Sequence, residues 1–152
     1  MDWLAPKRDE IISGKRKMGG MLKDQILAYR TEYENNPGWL NANLPEVRLT
    51  ATRPATFVYR NLLRLLVREA KGWQIMPNDG IDFGQAVIGT AYASITTLDK
   101  HWKRRVETIL PKPNPLAKIY YRPELDKMVQ AIERLLDNAA LRRGDALCSV
   151  KQ

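Results

Sequence analysis

Residues 53–73 carry two opposed faces, and that opposition constrains the fold more than any other feature of the chain. Each helical residue advances about 100°, so Arg53, Arg60, Arg64, Arg68 and Lys71 fall within an arc of about 80°. Across from them, Val58, Tyr59, Leu62, Leu63, Leu65, Leu66, Ala70 and Trp73 form a broad apolar arc. A segment divided this way buries one face and leaves a line of cations on the other. Pro54 suits the first turn, because the N–H it lacks would have no intrahelical acceptor there. Thr52 is placed to cap this helix and Gly72 to end it. Glu69 breaks the pattern by projecting into the apolar arc. A carboxylate there needs a cation or a hydrogen-bond donor, and a structural ion pair across helices is expected. Phe57 flanks the basic line at about 60° on the same wheel. It is placed to stack on a base or to pack beneath the arginines.

The rest of the chain reads as helices of similar kind. Residues 4–12 suggest a short helix ended by Gly14, followed by Lys15-Arg16-Lys17 and then Gly19-Gly20. Each glycine weakens a helix by about 1 kcal/mol, so a joint is expected at that pair and residues 1–20 read as a mobile arm. Leu22, Ile26, Tyr29 and Tyr33 form a helical stripe that Asn35-Asn36-Pro37-Gly38 stops. Residues 37–52 read as irregular, pinned to the core by Trp39, Leu40, Leu44, Val47 and Leu49. A short strand over 46–52 would lack a partner.

A turn at Met76-Pro77-Asn78-Asp79-Gly80 leads into an expected long helix from Asp82 to Leu110. Ile88, Ala91, Ile95, Leu98, Trp102, Val106 and Ile109 lie within about 40° of one line, the mark of a central bundle helix. Gly84 and Gly89 would permit a close helix crossing near its start. Pro111, Pro113 and Pro115 predict an extended connector. Pro123 opens a last helix with Leu125, Met128, Val129, Ile132, Leu136 and Ala139 on one face. Gly144 would end it, leaving 145–152 as a flexible tail. The expected fold is all-α: a single domain over 1–152, a compact bundle of four main helices plus a short N-terminal one.

Composition narrows the function. At 152 residues and 44% hydrophobic, the chain is large and apolar enough to build a core. No apolar run approaches the roughly 20 residues that span a bilayer, and Met1 to Pro6 offers no secretory core. The lone Cys148 supports no disulfide framework. A cytoplasmic location is expected. The net charge is +8, and residues 1–76 carry 13 Lys/Arg against 8 acids while residues 77–152 carry 12 against 9. The positive field therefore belongs to the folded body rather than to a tail, and a polyanion is the simplest partner.

Signals for catalysis are weak throughout. His101 sits in Lys100-His101-Trp102-Lys103-Arg104-Arg105, whose cations disfavour an imidazolium and a metal ion alike. A zinc site needs several Cys or His ligands, and one of each exists. There is no Walker A loop and no Gly-x-Ser-x-Gly elbow. Asp79 and Asp82 form a close carboxylate pair, but helix capping accounts for them. A protein with no enzymatic activity, no metal and no cofactor is expected. The basic line at Arg53, Arg60, Arg64, Arg68 and Lys71 is the leading nucleic-acid site, since the planar guanidinium fork suits phosphate oxygens. Lys100, Lys103, Arg104 and Arg105 form a second cluster, with Lys100 and Arg104 pointing away from the core line and the other two flanking it. Lys15-Arg16-Lys17 is a third, either an arm that orders on phosphate or a solvated turn. The ten-residue connector after Lys71 is too long for a helix-turn-helix, and no aromatic strand pair is visible. Backbone tracking fits better than base reading.

A small all-helical body with a distributed basic surface resembles the small subunit of a type I CRISPR effector (Cascade) complex. It is most similar to those made from an internal start in the large-subunit gene, type I-D in particular. The Met1-Asp2-Trp3-Leu4 opening, almost directly in helix, fits such a product. The resemblance is one of overall character across the chain and rests on no motif. It implies an antiviral-defence role: subunits stacked in several copies, contacting a guide RNA–target DNA heteroduplex and the displaced single strand without cutting. Two other classes stay open. One is a helical protein–protein adaptor, with Trp3, Trp39 and Trp73 as interface anchors. The other is a phage or plasmid DNA-binding regulator, which would require a symmetric dimer.

Overall fold

The longest apolar stripe near the N-terminus belongs to one uninterrupted helix. The computed structural model describes residues 4–69, 74–76 and 78–148. In it α1 runs Leu4–Asn35, 32 residues and about 48 Å at 1.5 Å per residue. The expected short helix and glycine joint do not form. Gly19 is buried, and α4 (Asp79–Tyr92) crosses beside it at Gly80. A Cβ on Gly80 would stand 2.6 Å from the Gly19 nitrogen and from the Met18 carbonyl carbon and oxygen. Glycine at this crossing lets two backbones touch, and that contact offsets its poor helix propensity. The crossing uses Gly19 and Gly80 rather than the expected Gly84 and Gly89. A Cβ on Gly84 would meet open space, and one on Gly89 would meet the Thr96 side chain.

Beyond the crossing, Leu22 and Ile26 are buried and Tyr29 and Tyr33 pack against the core, as their spacing predicts. The chain turns at Asn36-Pro37 into a single-turn helix, α2 (Trp39–Asn43), inside the segment read as irregular. Leu40 and Leu44 are buried, and Trp39 meets Tyr29 with ring centroids 5.2 Å apart. No strand forms over 46–52. Instead Asn61 of α3 clamps Val47, accepting its N–H at 3.0 Å and donating to its carbonyl at 2.8 Å. One side-chain amide thus replaces a strand partner.

α3 (Pro54–Glu69) starts with proline in the first turn as expected, but Thr52 does not cap it. The Arg53 carbonyl accepts the first intrahelical bond, from Phe57. Val58, Leu62, Leu63, Leu66 and Val67 are all but fully buried, and Phe57 packs into the core rather than facing solvent. Of the predicted apolar arc, Tyr59 is exposed, while Ala70 and Trp73 lie outside the described residues, as do Lys71 and Gly72.

The expected helix from Asp82 to Leu110 is two helices with a strand between. α4 ends at Tyr92, β1 occupies Ile95–Thr97, and α5 runs Lys100–Ile109. Three consecutive β-branched residues favour the extended chain. Asp99 then caps α5 by accepting the Trp102 N–H at 2.7 Å. β1 pairs in parallel with β2 (Lys118–Tyr120), in register Ile95 with Lys118 and Thr97 with Tyr120. Hydrophobic periodicity runs through the break because Leu98, Trp102 and Val106 still face the core; Ile88, on the same nominal line, is 57% exposed.

After a 3-10 turn at Arg122–Glu124, α6 runs Leu125–Cys148. Gly144 does not end it. The tail read from 145 onward is helical to Cys148, and 149–152 fall outside the described residues. The all-α class holds, at 71% helix with one two-stranded sheet. α6 buries Ala131 and half-buries Met128, while its Leu125, Val129, Ile132, Leu135 and Leu136 are exposed. Among the described residues no helix is long and apolar enough to cross a membrane.

Gly80→Ala is expected to lower stability by about 1–3 kcal/mol, because backbone rather than a yielding side chain meets the new methyl. Gly84→Ala, with open space at its Cβ, should be neutral or stabilising. Thermal unfolding of the two variants checks the contrast.

Candidate nucleic-acid interface

α3 and α5 pack side by side, which brings the two main basic clusters to one part of the molecule. Glu69, at the end of α3, accepts from Arg105 of α5 at 2.9 Å. This is the cross-helix ion pair expected for Glu69, although the carboxylate is 42% exposed rather than buried. Arg105 also lies over the Trp102 ring at 5.2 Å, so its charge is held by a carboxylate and a π face together. Arg64 and Arg68 share a cleft of about 170 Å³ with Thr108 and Ile109 of α5.

The basic line of α3 is not uniform. Arg53 and Arg68, at its ends, are exposed. Arg64 is turned inward. Its Nη1 donates to the Leu40 and Leu44 carbonyls at 3.0 and 2.7 Å, and its Nη2 donates to Asn41 Oδ1 at 2.5 Å. These carbonyls lie at the C-terminal end of α2, where the dipole is negative; Leu40 O also accepts the Leu44 N–H at 3.1 Å. Arg64 therefore secures the loop over 37–52. Arg60 is half-buried, and its Nε meets no acceptor among the described residues. Lys71 lies outside the described residues.

The α5 cluster divides the same way. Lys100 and Arg104, four residues apart on one face, are exposed. Lys103 is enclosed: it contacts Glu124 at 2.5 Å, Glu107 at 3.6 Å and the Tyr121 ring at 5.2 Å. Burial disfavours its charge, but the hydrogen bond to Glu124 and the attraction of Glu107 outweigh this and raise its pKa above the usual lysine value. The hydrogen bond from Lys103 is the main cause holding the Glu124 carboxyl below its usual range, helped by the Tyr121 N–H. In the third cluster, Arg16 and Lys17 are exposed on α1, which is helical there rather than a turn.

Sequence spacing had no means of finding one further arginine. Arg30 of α1, held by Glu34 at 2.7 Å, donates to the Val67 and Arg68 carbonyls at 3.1 and 2.9 Å. It closes the C-terminal turn of α3 as Arg64 closes α2. Nothing in a sequence separation of 37 residues signals this contact.

His101 is exposed on α5. Asp79 Oδ2 accepts the Met76 N–H at 2.5 Å, so it ties the turn before α4; the expected side-chain cap does not form, since Asn78 stands at the N-cap without a side-chain hydrogen bond. Asp82 lines a cavity of about 290 Å³ with Asp99, Trp102 and Arg122. No group of three or more potential metal ligands occurs among the described residues. Comparison with protein-family models, curated proteins and solved structures finds no match to the chain.

Two outcomes follow. Arg64→Met is expected to cost about 1.5–3 kcal/mol, because it removes the charged donors from the Leu40 and Leu44 carbonyls. Arg64→Lys should recover only part of this, since an ammonium lacks the fork; chemical denaturation measures both. The Lys103–Glu124 coupling should be level between about pH 5 and 10 in a double-mutant cycle. It fades in acid as Glu124 is protonated at its lowered value, and in base as Lys103 loses its proton above its ordinary value of about 10.4.

Proposed function

We propose that this chain is a non-catalytic nucleic-acid-binding subunit that holds phosphate backbones through the exposed cations of α3 and α5. The observation that carries this reading is the division among its cations. Arg53, Arg68, Lys100 and Arg104 are exposed and make no ion pair among the described residues, while Arg64, Lys103 and Arg105 are spent on carbonyls and carboxylates. Free cations on two helices tied together by Glu69 and Arg105 form a fixed positive surface. Such a surface releases counterions when it meets a polyanion, which gives affinity without sequence preference.

The resemblance to a CRISPR effector small subunit fits this chemistry. In that role the surface would steady a guide RNA–target DNA heteroduplex or the displaced strand. Exchange of one duplex for another is near balance, so a few phosphate contacts would tip it. A protein–protein adaptor is the second reading, favoured by the uncovered apolar face of α6; a subunit of a larger assembly would use both surfaces. Of the tryptophans expected to anchor an adaptor surface, Trp39 is partly buried against the core, and Trp3 and Trp73 lie outside the described residues.

The test is binding of the full chain to labelled single-stranded DNA, single-stranded RNA and duplex across a salt series. Four phosphate contacts to a single strand give a log–log salt slope of about −3. Combining Arg53→Glu, Arg68→Glu, Lys100→Glu and Arg104→Glu should abolish binding while circular dichroism stays unchanged. Arg64 is left intact because its loss would disturb the fold. Undiminished affinity in that variant would reject this surface as the site.

A further inference from the structure

α6 shows solvent an apolar line with acid along one edge. Leu125, Val129, Ile132 and Leu136 recur at steps of four, three and four, and they are 39–65% exposed. Alternating steps of four and three are the spacing of a two-helix seam. Val129 and Leu136 take its a positions, and Leu125 and Ile132 its d positions. The helix is held so that this line faces outward. On one side of the line Ala131 is buried and Met128 half-buried. At the foot of α6, Glu124 of the 3-10 turn is tied to Lys103. The opposite side is acidic. Asp126 and Glu133 each follow a d residue, at the e positions that border a seam. Both are exposed, and neither makes an ion pair among the described residues. Lys127 and Arg134 come one residue later, on the face turned away from the seam.

We infer that the α6 seam docks a helix of a different protein, one with an apolar line of the same spacing and lysine or arginine beside it. The charge pattern selects this occupant over a second α6. In a parallel pair, an e position faces a g position of the other helix. The g positions of α6 are Met128 and Leu135, so two parallel copies would set Asp126 and Glu133 against apolar side chains. Their carboxylates would lose water and gain no partner. In an antiparallel pair e faces e, and carboxylate would meet carboxylate. A helix with cations at its own flanks answers both acids in either direction. The seam thus rejects a copy by repulsion and admits a basic helix by attraction. This gives the adaptor reading a partner of defined chemistry and rests on that reading alone. Arg53, Arg68, Lys100 and Arg104 take no part in it.

Two labelled synthetic peptides of about four helical turns are the probes. Both carry leucine along the seam; one has lysine on its two flanks and the other glutamate. Like charges keep each peptide from pairing with itself. Fluorescence anisotropy against the full chain, free of nucleic acid, should show the lysine peptide bound about tenfold more tightly. The net charge of +8 by itself favours the opposite order. Combining Asp126→Lys with Glu133→Lys should reverse the preference. Combining Val129→Glu with Leu136→Glu, both at exposed positions, should abolish binding of the lysine peptide with unchanged circular dichroism. Charge reversal at Arg53, Arg68, Lys100 and Arg104 should not weaken that peptide, which separates this contact from the phosphate surface. A lysine peptide that does not bind, or binds no better than the glutamate one, would overturn the proposal. So would binding that survives the Val129/Leu136 pair. Sedimentation equilibrium covers the remaining occupant: a dimer that the Val129/Leu136 pair dissolves would make a second copy the partner and reject a basic helix.

Discussion

Direct contact between the backbones of α1 and α4 at Gly19 and Gly80 is the constraint on which the rest of the packing depends. With no side chain between them, the helices approach closely enough for Leu22 and Ile26 to reach the layer built by Leu62, Leu66 and Phe83. Phe83 then meets both Tyr59 and Trp102 edge-on, with centroids 5.4 and 6.1 Å away, which joins α3, α4 and α5 in one aromatic line. A methyl group at the crossing would press on backbone, and the helices on either side would have to part.

Arginine does two jobs in this fold, and what separates them is the supply of acceptors nearby. Arg30 and Arg64 sit beside the ends of α3 and α2 and donate to carbonyl oxygens there, so their guanidinium groups are drawn inward. Arg53, Arg68 and Arg104 make no ion pair among the described residues and are exposed. A charge that serves the fold is removed from the surface, so the sequence count overstates the positive face available to a polyanion. Among the described residues of the two clusters, Arg53 and Arg68 at α3 and Lys100 and Arg104 on α5 are the cations left exposed for the proposed role.

The start of α3 and most of its apolar arc were legible, because proline and helical periodicity are local signals; that Phe57, Asn61 and Val67 are also buried on the side of the basic line was not. The break within residues 82–110 was not. Apolar residues at 88, 91, 95, 98, 102, 106 and 109 keep helical spacing across a strand, and spacing alone does not register that Ile95-Thr96-Thr97 gains hydrogen bonds from a partner 23 residues away. The glycines of α1 misled for a related reason. Propensity treats Gly19-Gly20 as a weak point, whereas the crossing helix makes Gly19 a point of contact. For the candidate site, the cationic residue types and their helical faces could be read in advance, and Glu69 correctly signalled a cross-helix pair. The inward turn of Arg64 could not be read, because its acceptors lie 20 and 24 residues away in a loop without regular pattern.

By itself the sequence determined the all-α class, the buried face of α3, the end of α1 at Asn35 and the basic character of the body. Each of these follows from local periodicity, capping chemistry or summed charge. The tertiary structure alone decided which glycines are contacts, where the long apolar line breaks into helix, strand and helix, and which cations are consumed internally. It also left the α6 face uncovered. These outcomes depend on what lies across a gap from each residue, and that is information no window of neighbouring residues contains.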